Sequence, residues 1–141
     1  MSNEKVRIFI VDDDPMFAKS LEMVFDNKPE FEITTFHSSK DCLDNLSQNP
    51  DIIILDFNLD SIDKSSPNGL TTLRKLKEHK PELQVIMLSS QDKIEVAVNC
   101  MKNNASDYIV KNEIAFVRLK IAVKNILAQS KLNKTVNSWD W

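Results

Sequence analysis

The sequence predicts an α/β protein, a doubly wound parallel sheet covered by helices on both faces. Two observations carry this prediction. Five short apolar runs alternate with five segments of helical periodicity along 141 residues, the pattern of repeated strand–helix–strand units. The first, third and fourth runs are also nearly continuous in apolar residues, as strands buried on both faces read. A chain of this length suits one domain with a proper core.

The elements follow in order. Val6–Val11 is the first strand, and it ends at Asp12-Asp13-Asp14. Pro15 stands where a first helical turn tolerates a missing N–H, and Phe17, Leu21, Val24 and Phe25 give that helix an apolar stripe. Asp14, just ahead, offers its carboxylate to the unpaired N–H groups of the first turn. Phe31–Phe36 is the second strand, and Cys42, Leu43 and Leu46 mark a shorter second helix. Ile52–Leu55 is the third strand and leads into Asp56; Leu70, Leu73 and Leu76 mark the third helix. Leu83–Leu88 is the fourth strand, Ile94, Ala97, Val98 and Met101 the fourth helix, and Tyr108–Val110 the fifth strand. An apolar stripe from Phe116 to Leu127 predicts a last helix from about Glu113 to about Ser130. Residues 1–130 are thus expected to form the domain. Residues 131–141 are expected to be a loosely ordered extension, polar except for Val136, Trp139 and Trp141.

Composition excludes several classes. The net charge is −3, with no Lys/Arg run dense enough for a nucleic-acid face. No apolar stretch approaches a membrane span, and the polar start Met1-Ser2-Asn3-Glu4 lacks the apolar core of a secretory signal. A cytoplasmic location is expected. Cys42 and Cys100 fall in helical patterns with apolar neighbours and read as buried reduced thiols. The single glycine, Gly69, rules out phosphate-cradling glycine loops and leaves tight turns to Asn and Asp. Asn104 is the expected left-handed residue. His37 and His79 are read as lying away from the strand ends that matter, which argues against histidine catalysis.

The first and third strands both end in acid. In an open parallel sheet, ligands sit outside the carboxyl ends of the strands, where neighbouring connections diverge. If these strands are adjacent, three or four carboxylates meet in one crevice. Oxygen ligands of like charge call for a hard cation, and Mg²⁺ fits best.

Five segments sharpen the reading: Ile10-Val11-Asp12-Asp13-Asp14-Pro15, Asp56-Phe57-Asn58, Val85-Ile86-Met87-Leu88-Ser89-Ser90, Asp107-Tyr108-Ile109-Val110-Lys111 and Asn68-Gly69-Leu70. With them, the chain resembles the receiver domain of bacterial two-component response regulators, the family of the chemotaxis response regulator, from about Lys5 to about Ala128. The resemblance implies a flavodoxin-like, five-stranded parallel sheet of order 2-1-3-4-5 with five helices. It implies Mg²⁺ held by Asp12, Asp13, Asp56 and the Asn58 carbonyl, with Asp13 the more direct of the acidic pair. Asp56 would be the phosphoacceptor, attacking a phosphohistidine phosphorus to form an acyl phosphate. Ser89 and Lys111 would act with it on the phosphoryl oxygens, and Ser90 would stay small so that the Ser89 loop can move. Lys111 would pair with the acidic cluster at rest. Tyr108 would be the switch aromatic, and the side chains of Asn58 and Gln91 would set phosphate lifetime.

The same resemblance implies a sensor histidine kinase or histidine phosphotransfer protein as donor and an unidentified output protein as partner, without nucleic acid or membrane. The chain would be a single-domain regulator, not an enzyme beyond its own phosphorylation and dephosphorylation. It departs from the family pattern twice. The segment between Asp56 and Gly69 is several residues longer than usual, with Asp60 where proline is common, and it is expected to be a surface loop. Asn112 follows Lys111 where the family usually has proline, often cis. A trans bond is expected here, since a cis bond before a non-proline residue costs about 3 kcal/mol. The rival readings are a phosphorylation-independent interaction module with this fold and, more weakly, a Mg²⁺-dependent hydrolase using Asp56. Phe57-Asn58 offers the hydrolase no acid–base partner.

Overall fold

A computed structural model describes residues 5–59 and 69–130. The expected extension at 131–141 and most of the long loop lie outside the described residues. The strands are β1 (Val6–Val11), β2 (Phe31–Phe36), β3 (Ile52–Asp56), β4 (Gln84–Ser89) and β5 (Asp107–Val110). The helices are α1 (Pro15–Phe25), α2 (Ser39–Asp44), α3 (Gly69–His79), α4 (Ile94–Lys102) and α5 (Ala115–Ala128). All strand pairs are parallel, in the order β2-β1-β3-β4-β5. This is the flavodoxin-like fold that the sequence predicts.

Period-two alternation divides the core between the two faces of the sheet. Val6, Ile8 and Ile10 of β1, Ile52 and Ile54 of β3, and Ile86 and Leu88 of β4 pack with Ala18, Leu21 and Phe25 of α1 and Leu119, Val123 and Leu127 of α5. Phe9, Val11, Ile53, Leu55, Val85 and Met87 face the other way, against Cys42, Leu73, Leu76 and Cys100 from α2, α3 and α4. Every residue of β3 is buried. That explains its unbroken apolar run, because a slip of one residue would only exchange one core for the other. What pins the register is the charge at its end. Each buried Ile or Leu contributes about 2 kcal/mol of transfer free energy, which a buried carboxylate carried further into the sheet would cancel.

Local devices match the sequence reading with small corrections. Asp14 caps α1 by accepting from the N–H groups of Met16 and Phe17, and Pro15 occupies the first helical position. The predicted second helix divides into α2, capped by Ser38, and a 3-10 turn at Leu46–Gln48. That turn ends at Asn49, left-handed at φ 58°, and Asn104 has φ 67° as expected. β4 begins one residue later than predicted. Leu83 is buried but lies outside the ladder, and its carbonyl accepts from the Lys77 amine. α5 begins at Ala115 rather than Glu113. Asn112 forms its own turn first, its side chain accepting from the Ile114 N–H and its carbonyl from the Ala115 N–H. No peptide bond is cis among the described residues, so the Lys111–Asn112 bond is trans. Cys42 and Cys100 are buried and free, and burial pushes their thiols up to about 12 and about 11.

Candidate functional site

Register alone assembles the site. Val11 stands opposite Leu55, so the next residues, Asp12 and Asp56, leave the sheet side by side. Asp56 stands opposite Leu88, and Ser89 opposite Val110, so Ser89 leaves the sheet one residue above Asp56 and Lys111 one residue above Ser89. Backbone bonds continue this order past the strand ends: Asp12 N–H to the Phe36 carbonyl (3.0 Å), Phe57 N–H to Leu88 (2.7 Å) and Lys111 N–H to Ser89 (2.7 Å). The order of the strands reverses between β1 and β3, so the crevice lies at the switch point of the sheet.

Carboxylate oxygens of Asp12, Asp13 and Asp56 all lie within 4.8 Å of one another. Asp12 and Asp56 are buried, at 1% and 3% exposure, while Asp13 is open to solvent. Asp12 Oδ1 accepts from the Asp14 N–H, and Asp56 Oδ1 from the Asn58 N–H (3.0 Å). The Lys111 ammonium balances part of this charge, 3.0 Å from Asp12 Oδ2 and 3.4 Å from Asp56 Oδ1. It is not enough: burial first, and the Asp12 carboxylate next, push the Asp56 carboxyl up to about 6, against the pull of Lys111 and of the Asn58 N–H. An all-oxygen pocket whose central acid resists ionisation fits a hard cation such as Mg²⁺.

Ser89 and Ser90 face Asn58. The Asn58 side-chain oxygen accepts from Ser90 Oγ (3.1 Å), Ser90 N–H (3.3 Å) and Ser89 Oγ (3.5 Å). Ser89 Oγ in turn accepts from the Gln91 N–H (2.9 Å), and the half-buried Tyr108 donates its hydroxyl to the Gln91 carbonyl (2.6 Å). Burial raises the pKa of the Tyr108 phenol.

Gly69 opens α3 directly against this turn. A Cβ there would fall 2.5 Å from both the Cα and the carbonyl oxygen of Phe57, and 2.7 Å from the Asp56 carbonyl. Close backbone approach, not a left-handed conformation, is what requires glycine at this position.

The structure therefore brings together Asp12, Asp13, Asp56, Asn58, Ser89, Gln91, Tyr108 and Lys111. It also adds two residues. Phe17, read from sequence as a core residue of α1, is only partly buried, and its ring centroid lies 4.4 Å from the Lys111 ammonium, with Phe116 5.8 Å from it on α5. His37 corrects the reading that it lies away from the site: its Nδ1 is 3.0 Å from the Asp12 carbonyl oxygen. Its position one residue past β2, the neighbour of β1, was the available signal. His79, at the end of α3, lies at the opposite end of its connection.

An acid pocket with one lysine, set at the switch point of a 2-1-3-4-5 sheet, is the layout of a signal-receiving α/β domain. The chain belongs to that family: the response regulator receiver domain model matches residues 8–124. It is 34% identical over 116 residues to the two-component response regulator-like APRR1 of Arabidopsis thaliana, covering 79% of this chain and 18% of that protein. It is 27% identical over 113 residues to the transcriptional regulatory protein DegU of Brevibacillus brevis, covering 79% and 46% respectively. The chain thus spans less than half the length of either relative. Among solved structures, the receiver domain of NtrX from Brucella abortus superposes with a TM-score of 0.77 at 27% identity, over 87% of this chain and 99% of that one.

Proposed function

We propose that the chain is a phosphoacceptor switch of a two-component phosphorelay, with Asp56 as the residue modified and protein partners on either side of it. The observation that carries this reading is the meeting of three carboxylates within 4.8 Å, two of them buried, beside the Lys111 ammonium. Such a cluster costs folding free energy, so its presence points to use rather than to packing.

In the proposed step an Asp56 carboxylate oxygen attacks the phosphorus of a phosphohistidine. The P–N bond breaks, its electron pair stays on the donor imidazole, and an acyl phosphate remains on Asp56. The Asn58 N–H on Asp56 Oδ1 fixes the orientation of the carboxylate. The ionised form of Asp56 is favoured above pH 6 even in metal-free protein. Lys111 is placed to give up part of its pairing with the carboxylates and meet the phosphoryl charge. Mg²⁺, held by Asp12, Asp13, Asp56 and the Asn58 carbonyl, would supply the remaining positive charge against the phosphoryl oxygens.

The output follows from what Ser89 then does. Turning its hydroxyl to the phosphoryl group loosens the bonded path through Gln91 to Tyr108. That path ends on β5, between α4 and α5, where Ile94, Val98, Met101, Val117 and Ile121 are exposed apolar residues suited to a partner protein. Moving from mostly inactive to mostly active needs about 5 kcal/mol of differential contact; one hydroxyl bond and one ion pair to a new dianion are of that order. The donor is a histidine kinase or phosphotransfer protein, the chain acts only on itself, and the setting is the cytoplasm. No helix among the described residues is long and apolar enough to cross a membrane.

The test is intact-mass spectrometry after incubation with a small acyl-phosphate donor, with Mg²⁺ or with chelator, on this chain and on Asp56→Asn. One Mg²⁺-dependent phosphoryl adduct, absent from the variant, is expected. No adduct with a folded chain would replace this reading with a phosphorylation-independent interaction module.

A further inference from the structure

The Asn58 side chain does something that its place beside the phosphoacceptor does not require. Its carboxamide oxygen collects three donors from the end of β4 and the loop after it, two of them from Ser90. Its own N–H, at the same time, holds Asp56 Oδ1. One residue is therefore bonded by its backbone to the carboxylate that is modified and by its side chain to the loop that must move.

The hydroxyl of Ser90 is the unexpected member. A small residue leaves room for loop movement, and alanine or glycine would do so without forming any bond. Here the hydroxyl makes the shortest of the three contacts, at 3.1 Å. Ser89 is also committed at rest, facing Asn58 and accepting from the Gln91 N–H, so it must release Asn58 before it can donate elsewhere.

We infer that Asn58 and Ser90 form a resting latch, which holds the β4–α4 loop away from the phosphoryl position and sets the bias of the switch through Ser89, Gln91 and Tyr108. This inference rests on the phosphoacceptor reading and adds a regulatory pair to it. Ser90 is a positioning residue: it touches neither the acid cluster nor the lysine. Its effect passes along a bonded path, from the Asn58 oxygen to the Ser90 and Ser89 hydroxyls, to the Gln91 peptide and so to the Tyr108 hydroxyl.

The experiment is a double-mutant cycle of Ser90→Ala and Asn58→Ala, read by fluorine NMR on chain labelled with fluorotyrosine. Tyr108 is the only tyrosine, so one resonance reports the far end of the path. Beryllofluoride with Mg²⁺ serves as the probe for the phosphorylated state. In Ser90→Ala the resonance of the free protein should move toward its beryllofluoride-bound position, and beryllofluoride should bind about fivefold more tightly, the equilibrium weight of one ordinary hydrogen bond. Ser90→Thr, which keeps the hydroxyl, should restore both. The double variant should show less than the sum of the two single effects, since both changes break the same contact. An unmoved resonance with unchanged affinity in Ser90→Ala, or full additivity in the cycle, would overturn the latch. Failure of beryllofluoride to bind the unaltered chain would instead count against the phosphoacceptor reading, and a free-protein resonance left unmoved by Ser90→Ala would still overturn the latch.

Discussion

Replacing Asp56 by asparagine should make the metal-free protein more stable, although it removes the residue on which the proposed function depends. The carboxyl is 3% exposed, and burial and Asp12 raise its pKa to about 6 from an ordinary 3.8. At neutral pH, holding it ionised in the folded state therefore costs up to about 3 kcal/mol. Asparagine keeps the shape and can still accept the Asn58 N–H. Lys111 loses its 3.4 Å partner but keeps Asp12 at 3.0 Å. Allowing for that lost attraction, a net gain of about 2 kcal/mol is expected, or about 1 M in the urea midpoint for a chain of this size. The sign with pH follows from the raised pKa. The penalty is absent below the unfolded value near 4 and grows as pH rises through 6, so the advantage of Asp56→Asn should be largest at pH 7–8 and vanish toward pH 4. Urea unfolding in chelator across that range is the assay. Mg²⁺ stabilises the unaltered chain by about 2.7 kcal/mol at a hundredfold excess over its dissociation constant, so it should close the gap and slightly reverse it. An Asp56→Asn protein that is less stable than the parent at pH 7.5 in chelator would refute the reasoning. It would mean that the carboxylate is held by attractions stronger than its desolvation.

Three further outcomes are expected. Lys111→Met should leave Asp12 and Asp56 without their cation and cost about 3 kcal/mol in chelator, with much of the loss recovered in Mg²⁺, as thermal melts in the two buffers would show. Gly69→Ala should cost about 3 kcal/mol in urea unfolding, because the new Cβ meets backbone atoms of Phe57 and Asp56 that cannot rotate away. Asn104→Ala, at φ 67°, should lose about 1 kcal/mol in the same assay and leave the Asp56 chemistry untouched.

How much could be read from the chain depended on whether a residue acts through its type or through its direction. Ile52–Leu55 was legible because burial on both faces leaves no polar residue in the run, and the charges at Asp12 and Asp56 were legible because they break such runs. Parallel pairing then set those acids side by side, so most of the site followed from topology. The end of β2 was different. His37 meets a backbone carbonyl, a partner present at every residue, so its place one residue past β2 is the one signal the sequence holds and its type adds nothing. Phe17 fitted the apolar stripe of α1 as well as Leu21 does, yet it lies at the helix end nearest the site, where Lys111 takes one face of its ring. Asn58 and Ser90 each stand out singly in the sequence. Their contact depends on side-chain direction, which spacing does not encode. The start of α5 moved because Asn112 can bond its own neighbours, a local option that competes with the helix.

The close approach at Gly69 gives the neighbouring loop a neck. The chain leaves the site at Phe57 and returns at Gly69 in near contact with itself, so the segment between is tied off at its base. The entropy of closing such a loop grows only with the logarithm of its length, about 0.6 kcal/mol for each doubling. The extra residues there are therefore thermodynamically cheap, and the geometry above the knot does not depend on how many are carried below it. This is the natural place to insert a peptide epitope or a fluorophore. It is also where two chains sharing the same chemistry can diverge most freely in what they recognise.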